Sequence, residues 1–312
     1  MTDFYLMLIK KPFQTFAPNE VYWIDHTNAS LINQSFASIH PVDEVFPKYN
    51  NHLHLLIVRS GGIGDLLALS VLQNIAPKTT VLTHKKYFAA LDWWHNVPTK
   101  KDFQKPLVTL EKNQSLKDAF KNTGIMRGEE AIEMGSKKNW YEIFYESVGQ
   151  KFLHGRPQIK TSSKAKKGCM IVPYATSVNR SADITTILKV ASEFFNDIHF
   201  HENFRTTEKY LEELSSFEFV ISVDTSAIHF REGIGKPALG IYGSFDKESR
   251  TKYYQYTKSI NIKSPCEIQP CHLRNSVRCP KAKGNEKSAP CLSPGFNPSF
   301  EVQLREALKQ MY

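Results

Sequence analysis

The stretch LLIVRSGGIGDLLALSVLQNIA, residues 55–76, decides the fold. A short apolar run at residues 55–58 meets a polar break, Arg59-Ser60, and then Gly61, Gly62 and Gly64. Asp65 follows, and after it an apolar segment that stops at Pro77. Strand, glycine turn and helix in this order open a doubly wound α/β domain. Leu66, Leu67, Leu69, Val71, Leu72 and Ile75 make the helix apolar nearly all round, which predicts burial against a sheet. Glycines let the backbone take positive φ and bring a ligand to the helix N-terminus, where free N–H groups favour an anion. The spacing is not G-x-G-x-x-G, and no Lys-Ser/Thr follows, so neither a dinucleotide fingerprint nor a P-loop is present. Asp65 in the first turn either serves the helix dipole or a cap, or faces a ligand. The stretch by itself favours the structural role.

Before this unit, residues 1–52 read as short strands, FYLMLI and VYWID among them, separated by turn residues. They form a small β appendage with a junction at Asn50-Asn51. After it, strands are expected at residues 79–83 and 106–110 and helices at 84–94, 115–122 and 139–149. The polar run KTSSKAKKG, residues 160–168, reads as a linker. A second series begins beyond it, with strands at 169–173, 197–200, 219–223 and 238–242. Its helices fall at 184–195, 207–214 and 298–312. The expected organisation is a β appendage at 1–52, a Rossmann-like domain at 53–165 and a second one at 166–312. Open α/β sheets bind ligands beyond the carboxyl ends of their strands, which singles out the loops at 60–65, 174–180 and 224–229.

The 312 residues contain 41% hydrophobic side chains, enough for a packed core and too many for a disordered chain. Forty Lys and Arg against 31 Asp and Glu leave a net charge of +9, which suits an anionic partner, although the charge is spread along the chain. No apolar run approaches the roughly 18 residues that cross a bilayer. The N-terminal apolar run precedes Lys10-Lys11, the wrong polarity for a signal peptide, so a cytoplasmic protein is expected. Cys169 stands alone, and Cys266, Cys271, Cys279 and Cys291 cluster as C-x4-C-x7-C-x11-C. In a reducing compartment such a cluster is a structural zinc or iron site or a set of reduced thiols, and the spacing leaves both open.

Four patches resemble glycosyltransferase family nine, the lipopolysaccharide heptosyltransferases and their relatives. They are LLIVRSGGIGDLLALSVL, IVPYATSVNR, VISVDTSAIHFREGIGKPALGIYG and PCHLRNSVRCP…CL, in that order over residues 53–310. The resemblance implies a GT-B fold: two facing Rossmann-like domains, with the acceptor on the first and a sugar nucleotide on the second. It implies inverting transfer without a catalytic metal, usually from ADP-heptose to a lipopolysaccharide core. Asp65 becomes the expected base, with Arg59, Gly61, Gly62 and Gly64 on the acceptor side. Thr176, Ser177, Arg180, Asp224, Thr225, Ser226 and His229 become the expected donor-binding set, Arg180 being suited to bidentate phosphate contact.

Several positions depart from the family pattern. Ser226 stands where Gly is usual after Asp-Thr, Tyr174 where a glycine is common and Arg180 where Lys is common. Residues 1–52 have no counterpart in the typical family core. These departures bear on the donor and acceptor more than on the reaction class. A reading from another class is a nucleic-acid-binding protein with a basic surface and a metal-clipped loop, or a transferase whose acceptor is nucleic acid. Assembly of identical chains, or acceptor recognition, is the expected role of the N-terminal strands.

Overall fold

The structure is a computed structural model that describes residues 4–9, 20–25, 37–41, 54–58, 62–76, 78–103, 137–147, 150–160, 166–201, 206–269, 271, 279, 281–282 and 287–311. The expected strand at 106–110 and helix at 115–122 lie outside these residues, as do Arg59 and Gly61. The chain divides into two units: Met1–Arg127 with Tyr141–Leu153, and Gly128–Trp140 with His154–Tyr312.

The first unit is built on a six-stranded sheet. Its strands are β1 (Phe4–Ile9), β2 (Glu20–Asp25), β3 (Ala37–Pro41), β4 (His54–Val58), β5 (Lys78–Thr83) and β6 (Thr99–Phe103), in the order β3-β1-β2-β6-β5-β4. β4, β5 and β6 are parallel neighbours, the start of a Rossmann-like unit. The N-terminal strands continue this same sheet. β2 runs parallel to β6, pairing Glu20 with Asp102 and Val21 with Phe103, and β1 is antiparallel to both β2 and β3. The contact division runs at residues 128, 141 and 154.

Helix α1 (Ile63–Leu69) buries Leu66, Leu67, Ala68 and Leu69, as its all-round apolar sequence requires. It tightens into a 3-10 turn, Ser70–Asn74, where the Ser70 hydroxyl donates to the Leu67 carbonyl at 2.6 Å. The expected helix at 84–94 is a 3-10 turn followed by the short α2 (Phe88–Asp92). In α3 (Trp140–Ser147), Tyr141, Phe144 and Tyr145 bury their rings, and Tyr145 donates to the Val71 carbonyl at 3.3 Å.

The second unit is a five-stranded, all-parallel sheet. Its strands are β7 (Lys166–Val172), β8 (Ile198–Phe200), β9 (Phe217–Val223), β10 (Ala238–Tyr242) and β11 (Thr257–Asn261), in the order β11-β10-β9-β7-β8. β7 starts inside the run read as a linker. Gly168, at φ 105, and a register shift between Lys166 and Cys169 accompany the entry of the end of that run into the sheet. β11 escaped the sequence reading because TKSIN is an edge strand whose residues are mostly half-buried or exposed.

Five helices accompany this sheet: α4 (Ile184–Ala191), α5 (Thr207–Ser216), α6 (Ser226–Gly233), α7 (Glu248–Thr251) and α8 (Phe300–Lys309). Asp183 caps α4 through the Thr186 N–H at 2.9 Å, and Thr206 caps α5 through the Lys209 N–H at 3.3 Å. Ile171, Ile221, Val223 and Ile241 from the central strands pack with Ile187 and Val190 of α4 and Leu304 and Leu308 of α8. Strands buried on both faces read as continuous apolar runs, which is why 219–223 and 238–242 were legible. Strand order reverses between β7 and β9. That places the loops after these two strands on either side of a topological switch point.

Candidate active site

In the first unit, Gly62 is the N-cap of α1, with φ 73 and ψ 117. The cap residue, a glycine, contributes no side-chain cap bond. Asp65, half-buried in the first turn, folds its carboxylate back over the cap: a Cβ at Gly62 would lie 2.6 Å from Oδ2 and 3.0 Å from Cγ. Gly62 is thus required twice, for its positive φ and for the space taken by the acid. Gly64 is the second residue of the same helix and is half-buried.

In the second unit, two loops meet at the switch point. After β7, Arg180 donates through Nη2 to Thr176 Oγ1 at 3.0 Å, and its Nη1 stands 3.7 Å from Asp224 Oδ2. That separation is an ion pair without a hydrogen bond. Asp224, 4% exposed at the end of β9, therefore holds a buried carboxylate oxygen that accepts no hydrogen bond among the described residues. A buried acceptor left so is costly unless a ligand donor completes it.

The neighbouring hydroxyls are engaged. Thr225 caps α6 by accepting from the Ala227 N–H at 3.2 Å, and it shares a hydrogen bond with Ser222 at 2.8 Å. The Ser226 hydroxyl donates to Tyr210 Oη at 3.2 Å, so the residue that departs from the family glycine turns toward α5. Ser177 donates to the Asn179 carboxamide oxygen. His229 is 4% exposed, with Nδ1 2.6 Å from Tyr254 Oη and its ring centre 4.4 Å from that of Trp140. The Arg250 guanidinium lies 4.7 Å from the same Trp140 ring. Burial holds His229 well below the usual imidazole range, and Arg250 and Arg180 push it further down. It is a neutral ring at neutral pH.

Sequence reasoning had no means of naming Tyr254, Trp140 or Tyr210. Their partners lie 25, 89 and 16 residues away, and only the packing brings them together. Asn179 stood inside a quoted patch without a role.

Cys266, Cys271, Cys279 and Cys291 line one cavity, together with Asn179 and Gln269. Burial raises the Cys291 thiol to about 12, with Cys271, Cys279 and Cys266 adding to the rise. Burial, then Cys279, raises Cys271 as well. All four donors are soft sulfur ligands of the kind that hold zinc or iron. Among the described residues, no group of three or more His, Cys, Asp or Glu is placed to hold a metal ion as it stands. Among the same residues no helix is long and apolar enough to cross a membrane.

Two Rossmann-like α/β units, the first extended by N-terminal strands, define the GT-B class of fold. Solved structures of that class match the chain. The dodecameric iron-containing heptosyltransferase TibC in complex with ADP-D-beta-D-heptose is matched at 9% identity over 99% of this chain and 91% of that one, with a TM-score of 0.52. The iron-containing dodecameric glycosyltransferase TibC from enterotoxigenic E. coli H10407 is matched at 11% identity over the same shares, with a TM-score of 0.50. E. coli heptosyltransferase WaaC with ADP is matched at 13% identity over 67% of this chain and 93% of that one, with a TM-score of 0.46. No protein-family model and no curated protein matches the chain. The fold is the GT-B fold of the heptosyltransferase-like structures, with the N-terminal extension included in the match.

Burial of His229 sets a pH dependence. An unfolded imidazole takes up a proton near 6.5 and the buried ring only at lower pH, so the unfolded state binds more protons in between. Stability is therefore present above about 6.5 and falls as the pH drops through that value toward the buried ring's own pKa. Thermal midpoints should decline between about pH 7.5 and 5.5 in the wild type and decline less in His229→Gln. His201, which burial lowers too, adds a slope of the same sign. Equal slopes in the two proteins would show that His229 is not the titrating group.

Proposed function

We propose that this chain is a glycosyltransferase of the family-nine type, moving a sugar from a nucleotide-diphosphate donor to a hydroxyl of a saccharide or other polymer acceptor. The sugar we propose is a heptose, carried on ADP and transferred with inversion. The observation that carries this reading is Asp224: a buried carboxylate oxygen with no hydrogen bond, beside Arg180, at the switch point of a parallel sheet. A sugar hydroxyl would complete Asp224, and phosphate oxygens suit Arg180 and Thr176. The α6 N-terminus, capped by Thr225, adds a positive dipole end nearby.

In this mechanism Asp65 takes the proton from the acceptor hydroxyl as its oxygen attacks the anomeric carbon. The bond from that carbon to the donor phosphate oxygen breaks, and the nucleotide diphosphate leaves with the electron pair. Arg180 and the α6 N–H groups stabilise the charge that grows on it. Neutral His229, held by Tyr254, offers a fixed hydrogen bond and no charge. We assign it binding, not proton transfer. Gly62 leaves room for the Asp65 carboxylate to fold over the start of α1.

Thermal-shift screening against ADP-, UDP-, GDP- and CMP-sugars tests the reading, because a ligand selective for the native state raises the midpoint. Arg180→Ala and Asp224→Ala should each weaken donor binding by about tenfold or more. Asp65→Asn should keep the donor-induced shift and lower transfer by about a hundredfold or more. If no sugar nucleotide shifts the wild type, the reading fails. If Asp65→Asn turns over normally, Asp65 is not the base.

We further propose that Cys266, Cys271, Cys279 and Cys291 hold a structural zinc or iron, which would lower the thiol pKa values and cross-link the loop. The shared cavity supports this, and TibC is an iron-containing example of the same fold. Protein purified without added metal should contain near one zinc or iron per chain, and Cys279→Ser should lower both metal content and thermal midpoint. Metal-free protein with four titratable thiols would leave the reduced-thiol reading in place.

Self-assembly through the N-terminal strands is the third proposal. β3 ends the sheet of the first unit, and such an edge offers unpaired backbone groups to another chain. Light scattering should give a mass of several chains, and a single-chain mass at micromolar concentration would exclude assembly.

A further inference from the structure

His229 is held at one edge and on one face. At the edge, Nδ1 lies 2.6 Å from Tyr254 Oη, and the two rings stand nearly perpendicular, at 88° with centres 5.9 Å apart. On the face, the Trp140 ring packs with its centre 4.4 Å away. The buried Arg250 guanidinium lies 4.7 Å from the Trp140 ring and 4.7 Å from that of Phe245, which holds the tryptophan in turn. The other ring nitrogen, Nε2, is placed differently. Among the described residues it makes no hydrogen bond, and it is not one of their sealed unpaired polar atoms. It is therefore the polar edge of an otherwise buried ring that a ligand can reach. His229 stands one turn beyond Thr225, the cap of α6, and helical side chains lean toward the N-terminus. The ring thus leans toward the turn that carries Asp224, Thr225 and Ser226.

Tyr254 is placed by its own segment. Its N–H donates to the Thr251 carbonyl at 3.0 Å, and Thr251 donates to the Lys247 carbonyl through its N–H at 2.7 Å and its hydroxyl at 3.0 Å. The next residues, Gln255, Tyr256 and Thr257, give their N–H groups to Glu232, three residues beyond His229 on α6. One face of α6 therefore grips residues 254–257 twice, at His229 through a side chain and at Glu232 through the backbone. Acid strength decides which atom of the His229–Tyr254 bond carries the proton. A phenol is a far stronger acid than a neutral imidazole N–H, and an imidazole nitrogen is a far stronger base than a phenol oxygen. The hydroxyl donates and Nδ1 accepts. Burial, and then Arg250 and Arg180, keep the ring neutral, so it carries one proton. With Nδ1 accepting, that proton sits on Nε2.

We propose that Tyr254 is a positioning residue that holds His229 as its Nε2–H tautomer and so presents a neutral N–H donor to a ligand oxygen that can only accept. That oxygen belongs to the diphosphate of a nucleotide donor, a clause that rests on the proposed function; the tautomer does not. A phosphate oxygen is bound by an N–H and repelled by a nitrogen lone pair, so the opposite tautomer would turn a favourable contact into an unfavourable one. Arg180 brings charge to the diphosphate, and His229 brings direction.

Nitrogen NMR of the full-length protein, labelled at its histidine rings and read at neutral pH, tests this. The pair of ring signals missing from His229→Gln belongs to His229. Its Nδ1 should give a pyridine-type signal and its Nε2 a pyrrole-type one. The reverse pattern, or a mixture of the two tautomers, would overturn the proposal. Tyr254→Phe keeps the ring and removes the hydroxyl. It should move the Nδ1 signal toward that of a nitrogen without a hydrogen bond and raise the Kd for ADP about tenfold, the effect of one net hydrogen bond. A tyrosine that only fills space would lower the thermal midpoint and leave the Nδ1 signal and the Kd of the folded protein unchanged, and that result sinks the positioning role. In His229→Gln, whose carboxamide offers an N–H of its own, Tyr254→Phe should weaken ADP binding no further. Additive losses in the double variant would show that Tyr254 does not act through His229. If Tyr254→Phe does not fold, fluorotyrosine at position 254, a stronger hydrogen-bond donor, replaces it and should move the Nδ1 signal the opposite way; an unmoved signal overturns the proposal. If the wild type does not bind ADP, the diphosphate clause and the proposed function fall together, while the spectrum still decides the tautomer.

Discussion

Two adjacent charged side chains with no exposed surface, Arg231 and Glu232, hold the second unit in register. The Arg231 guanidinium donates to the carbonyls of Leu214, Phe217, Glu218 and Pro237 at 2.7 to 3.0 Å. Glu232 accepts from the N–H groups of Gln255, Tyr256 and Thr257 at 2.9 to 3.0 Å. Each buried charge is costly by itself and is tolerated because backbone groups surround it. Together they tie the end of α5, the starts of β9 and β11 and the turn into β10 to the last turns of α6. The first turn of that helix carries Thr225 and Ser226, and Asp224 precedes it. One helix therefore has a structural end and a chemical end, and locking the first orients the second.

The chemistry of the candidate site follows from what the sheet leaves available. β9 and β10 are buried almost throughout, so polar side chains collect where the strands stop. At the end of β9 the carboxylate of Asp224 keeps one buried oxygen unbonded, while Thr225, Ser226 and Ser177 have spent their hydroxyls on caps and turns. The proposed donor site is thus narrower than seven polar residues in a row of motifs would suggest. In that proposal it rests on Arg180, Thr176, Asp224 and the α6 N-terminus, with neutral His229 beside them.

The cysteine segment is a third element of this design. Its described residues bond to the loop after β7 and to the ends of β10 and β11. The Cβ that Gly243 lacks would stand 3.2 Å from Cys291 Sγ, so the sulfur cavity abuts the last turn of the sheet.

Periodicity and glycine placement determined the strand–turn–helix unit at 55–76, the buried strands of the second unit and the α/β class, because buried elements must be apolar on every face the core touches. The same residues marked Asp65, Arg180 and Asp224, since polar groups at the ends of apolar strands are conspicuous. Polar strands were not legible: β6 (TKKDF), which lies between β2 and β5, and the edge strand β11 (TKSIN) are polar sequences. Their strand character comes from the neighbours they pair with. Nor could the chain declare that residues 4–9, 20–25 and 37–41 join the first sheet, since pairing of β2 with β6 spans some eighty residues. The tertiary structure alone decided which hydroxyls are engaged, that Tyr254 and Trp140 hold His229, and that Asn179 faces the cysteines. Hydrogen bonds between distant residues follow from packing geometry, which local sequence pattern does not encode.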